Sequence, residues 1–111
     1  MSRGLHAKYK LLNINDDIAY YAYGGSNFNY EYDKNIFDSC DGRMQIKFNN
    51  IYRDIDIAKE LELKNVEIVK PCYYAENNIY GVDILALKTI HHIINRYIKE
   101  NQLPENGMWV I

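Results

Sequence analysis

Cys72, the adjacent pair His91 and His92, and the polar residues Asp83 and Asn95 are the types from which a cysteine hydrolase is assembled. Such a site needs a thiolate nucleophile, an imidazole to take its proton and an amide or carboxylate to orient the ring. Nothing in their spacing joins them, and "KPCYY" around Cys72 carries no nucleophile signature, so no catalytic residue is assigned. Neighbouring helix positions diverge by about 100°, so His91 and His92 do not converge on one metal ion. With no His-x-x-x-His and no Cys-x-x-Cys, neither a metal nor another cofactor is expected. His91 is expected at the margin of an apolar helix face as a structural histidine, and His92 on the wet side among Lys88, Arg96 and Lys99. Asp33, Asp38 and Asp41 lack the alternate spacing and closing glutamate of a calcium loop. "YGGSN" matches neither the Walker loop nor the dinucleotide-binding turn.

The elements that would position these residues read mainly as strands. "AKYKLLNINDDIAYYAYGG" predicts a hairpin turning at Asn13 to Asp17, where Asn and Asp satisfy nearby backbone groups. In its second strand Ile18, Tyr20 and Ala22 point to one face and Ala19, Tyr21 and Tyr23 to the other. Gly24 and Gly25 are expected to supply the positive φ of a reversal, after which Asn29 to Asp33 resumes an extended segment. Asp41-Gly42 predicts a second tight hairpin, followed by a strand in which Met44, Ile46 and Phe48 alternate with Arg43, Gln45 and Lys47. "IYRDIDIAKELELKN" fits both periods; a short helix capped by Asp54 or Asp56 is expected, with Asp56 and Glu60 on its outer side. "VEIVKP" reads as a strand. From Val82 to about Asn101, Leu87, Ile90, Ile94, Tyr97 and Ile98 recur at helical spacing behind a capping Asp83, and the terminal "MWVI" is apolar enough to join the sheet. The expected fold is α+β: a mainly antiparallel sheet with one long C-terminal amphipathic helix and one short helix.

At 111 residues, 48% apolar and 25% charged, the chain reads as a single globular domain over residues 1–111. A net charge of −2 gives no global field to collect nucleic acid or anionic membrane, and no apolar run approaches the ~18 residues of a membrane span. With no apolar leader in "MSRGLHAKYK", a cytoplasmic location is expected, where Cys40 and Cys72 remain free thiols.

A small, slightly acidic, tyrosine-rich α+β chain with the features "YYAYGG" and "RDIDIAKELE" resembles the immunity proteins of bacterial toxin systems, including contact-dependent growth inhibition. That resemblance implies a cytoplasmic inhibitor whose cognate partner is a toxin domain; it carries over no site residues. The acidic run Asp54, Asp56, Glu60 and Glu62 outweighs Lys59 and is the expected surface for a basic partner, with Tyr21 and Tyr23 as anchors. A cysteine- and histidine-dependent hydrolase and a nucleic-acid-binding accessory protein are the competing classes.

Overall fold

A computed structural model describes residues 5–27, 33–50, 56–74 and 83–110 of the chain. Five antiparallel strands form one sheet in the order β4-β3-β2-β1-β5, so the fold is α+β as the sequence predicts. β1 (Leu5–Asn15) and β2 (Ile18–Asn27) make the expected hairpin, with Asp16 in the left-handed region at φ 57° in its turn. β3 (Gly42–Lys47) and β4 (Val66–Lys70) extend the sheet on one side. The chain then crosses one face as an α-helix, Ile84–Glu100, and returns as β5 (Asn106–Val110) against β1.

The core fills the space between that helix and the sheet. Ala19, Tyr21, Tyr23, Met44 and Ile46 come from the sheet, and Leu85, Ile90, Ile93 and Ile94 from the helix, all fully or almost fully buried. Asp83 caps the helix by accepting from the Leu85 N–H at 3.0 Å. Trp109 on β5 donates to Thr89 Oγ1 at 2.8 Å and Thr89 donates to the Leu85 carbonyl at 2.7 Å, fastening the last strand to the helix.

Two expected turns are not turns. Gly24 and Gly25 lie inside β2, paired with Lys8 and Ala7, and the strand runs straight through them. The glycines are required by close approach rather than by a positive φ: a Cβ on Gly24 would stand 2.6 Å from the Phe37 carbonyl oxygen, and one on Gly25 2.8 Å from the His6 carbonyl oxygen. Asp41-Gly42 does not join two strands either, because a short helix, α1 (Lys34–Ser39), precedes it. Asp33 caps α1 by accepting from the Asn35 N–H at 2.8 Å, and Cys40 ends it in the left-handed conformation at φ 48°. One buried side chain, Phe37, holds α1 to the sheet, too few to leave a helical period in the sequence.

The second short helix, α2 (Ile57–Glu62), starts from Asp56, whose carboxylate accepts from the Lys59 N–H at 3.3 Å. The helix Ile84–Glu100 is therefore α3 in chain order. The extended segment expected over residues 29–32 and the strand-like residues 51–55 lie outside the described residues. Among the described residues no helix is long and apolar enough to cross a membrane.

Candidate functional site

The expected acidic surface is not assembled. Asp56 and Glu62 are exposed on α2, but Glu60 is buried and accepts from Asn65 Nδ2 at 2.7 Å, where it ties the helix to the start of β4. Tyr21 and Tyr23 are completely buried, so neither presents a side chain to a partner. Tyr21 donates to the Pro104 carbonyl at 2.7 Å, and Tyr23 donates to Asp83 while accepting from the Cys72 N–H at 3.2 Å. Asp54 lies outside the described residues. Alternation placed the tyrosines on one face correctly; that face is the one α3 covers.

Nor are the hydrolase types brought into a catalytic arrangement. Cys72 is buried beside Tyr23 and Asp83, and desolvation, reinforced by the Asp83 charge, pushes its thiol up to about 12. His91 is eight residues beyond Asp83, about 12 Å along the helix axis, and is exposed. His92 is the inward member of the pair, reversing the sequence expectation. Its Nδ1 lies 2.9 Å from the Tyr9 hydroxyl, which accepts from Arg96 Nη1 at 3.1 Å. The phenolic hydrogen is thereby directed to Nδ1, and burial followed by the Arg96 charge holds the imidazole pKa below its ordinary value. A cleft of about 300 Å³ between α3 and β5 is lined by Lys88, His91, His92 and Trp109. Among the described residues no group of three or more His, Cys, Asp or Glu side chains is placed to hold a metal ion.

The other face of the sheet has a different character. α1 covers one corner of it: the Phe37 ring stacks on His6 with centroids 4.5 Å apart, and His6 Nε2 is hydrogen-bonded to Ser26 across the β1-β2 pair. Lys8 places its ammonium 5.2 Å from the Phe37 centroid and 2.5 Å from Asp38, to which Lys34 also bonds at 2.9 Å. Those two ammonium groups hold the Asp38 carboxyl below the usual range. Beside α1 a groove of about 780 Å³ opens over β1 and β5, lined by His6, Lys8, Lys10, Phe37, Asn106 and Met108 among others.

Lys10 continues from this groove into a row set by register. Asn106 and Ala22 flank Lys10, Arg43 pairs with Ala22, and Lys70 pairs with Arg43, so one line across all five strands carries three cations. Directly paired residues point to the same side of a regular sheet, which places Lys10 and Arg43 on one face; Lys70 pairs with Arg43 where the β3-β4 register shifts by one residue, and the row spans about 14 Å from Lys10 to Lys70 at three strand spacings. All three side chains are exposed, and none makes an ion pair among the described residues. Arg43 Nη1 donates to the Cys40 and Gly42 carbonyls at 2.6 and 2.9 Å, which fixes the guanidinium plane at the C-terminal end of α1. Met108 and Val110 extend the same face at the β5 edge, each at least half exposed. This surface was missed because its members are about 30 positions apart; the alternation of Lys8 with Lys10 and of Arg43 with Gln45 is the only signal the sequence holds for it.

No protein-family model, curated protein or solved structure matches this chain.

Proposed function

We propose that this protein acts by binding another protein, as an inhibitor of the immunity-protein kind that neutralises a cognate toxin domain. The observation that carries the reading is the sheet face opposite α3, which among the described residues combines the exposed row Lys10, Arg43, Lys70 with exposed Met108 and Val110. A face with cations fixed by register and apolar contacts at its rim has the makeup of a recognition surface. The buried, raised thiols of Cys40 and Cys72 suit packing better than nucleophilic attack. The contact surface differs from the acidic one that the α2 sequence predicted, and the partner's complementary charge is correspondingly negative.

The tagged protein, purified from its native host, should retain one protein partner in equimolar amount. Co-expression with that partner should relieve growth arrest that the partner causes alone. A stoichiometric partner whose toxicity is unaffected, or the absence of any partner, would sink the inhibitor reading.

A further inference from the structure

Lys10 belongs both to the groove beside α1 and to the cation row, and Arg43 and Lys70 lie beyond it at successive strand spacings, a span of about 14 Å that exceeds a single anion. We propose that this surface docks an acidic segment of the partner protein, laid from the groove over Lys8 and Lys10 toward Arg43 and Lys70. The identity of the partner rests on the inhibitor reading above; the chemistry of the segment rests on the surface alone.

Charge complementarity is the first ground. Asp38 on this face is engaged by Lys8 and Lys34, and Glu67 accepts from the Gln45 amide at 2.8 Å, whereas Lys10, Arg43 and Lys70 have no carboxylate within ion-pair distance among the described residues. The row is therefore a local positive strip on a chain whose net charge is −2. Preorganisation is the second. Both bonds from Arg43 to the backbone use Nη1, so the side chain is already held while Nε and Nη2 keep their donors for a carboxylate.

The same cations would attract a nucleic-acid backbone, but single-strand binding also draws on exposed aromatic rings for base stacking. Among the described residues of this face Phe37 is buried under α1 and Tyr20 is half-buried in the row of Gln45 and Glu67, whereas Met108 and Val110 are exposed; the exposed ring nearest the row, Tyr73 beyond Lys70, is engaged edge-to-face with Tyr74. Aliphatic contacts beside unpaired cations match a segment in which Asp or Glu alternates with apolar residues.

A labelled deca-glutamate peptide and an oligothymidine of equal charge, titrated against the full chain, test this. The peptide should bind saturably, with amide shift changes confined to β1, α1, the ends of β3 and β4, and β5, and with affinity falling as salt rises. The double variant Lys10→Glu/Lys70→Glu changes only exposed side chains and should weaken peptide binding about tenfold or more, while Lys99→Glu on α3 should leave it unchanged. Absence of saturable binding, shift changes on the α3 face, or tighter binding of oligothymidine would each overturn the proposal. A charge-reversed protein that still neutralises the toxin at full potency would remove the surface and keep the inhibitor. Loss of inhibition in the wild type, with peptide binding intact, would do the reverse.

Discussion

Tyr23 shows how much a single buried hydroxyl can carry in this fold. It donates to Asp83, the residue that caps α3, and it accepts from the backbone N–H of Cys72, joining β2, the start of α3 and the segment after β4. Burial, followed by the hydrogen bond and charge of Asp83, raises the phenol far above its ordinary range, so it remains a donor at every physiological pH. Tyr23→Phe keeps the ring but removes both bonds, leaving the Cys72 N–H buried without that acceptor. We expect a loss of about 1–3 kcal/mol in urea unfolding with the slope unchanged, against less than about 0.5 kcal/mol for Tyr73→Phe at an exposed ring. A Tyr23→Phe protein as stable as the wild type would mean that the hydroxyl network is not a stabilising element.

At the scale of elements, the contact of α1 with the sheet depends on Gly24. Six residues and one buried phenylalanine cannot hold a helix by themselves; α1 is ordered because its last turn lies directly on the β2 backbone. Gly24→Ala places a methyl against the Phe37 carbonyl, and since that oxygen is backbone the strand and helix must separate. The expected cost is about 1–3 kcal/mol, and Gly24→Asn should be no better. Asn is well tolerated where a turn needs a positive φ, so the pair of variants separates the two roles that a glycine can have. Stability of Gly24→Asn at the wild-type level in thermal melts would restore the turn that the sequence implied. The groove is equally a product of elements, since its wall is α1 and its floor is β1 and β5.

For the whole molecule, the titrating groups make acid destabilising in two stages. His6 and His92 have pKa values lowered from 6.5 by burial, so as the pH drops below about 6.5 the unfolded chain takes up protons first and stability declines. Asp38 and Glu100 are lowered by bonds to lysine and to Arg96, from ordinary values of 3.8 and 4.5, so their contribution is complete above those values and is lost as the pH falls through them. The melting temperature should therefore decrease from pH 7.5 to 5.5 and again from 5.5 to 3.5. His92→Gln, which preserves a polar partner for Tyr9, should lessen the decrease in the first interval only, with His6 sustaining the remainder. A melting temperature that rises between pH 7.5 and 5.5 would contradict the neutral state assigned to the buried imidazoles.

The sequence alone determined what local chemistry and periodicity can encode: the β1-β2 hairpin turn, the dry face of Met44 and Ile46, the cap Asp83, an aspartate cap for α2 narrowed to Asp54 or Asp56, and the long helix with Ile90 and Ile94 inward. Each is written within a few consecutive residues, where a two- or 3.6-residue period or a capping carboxylate acts on its own neighbours. The glycine pair was legible as special but not as a packing contact, because what it makes room for, the α1 backbone and β1, is distant in sequence. Only the tertiary structure decided which of two tyrosine-bearing faces would be covered, that Glu60 would turn inward, that His92 rather than His91 would meet the core, and that Lys10, Arg43 and Lys70 would align. Those outcomes follow from strand register and from the face chosen by α3, which are set by burying the largest apolar surface over the whole chain.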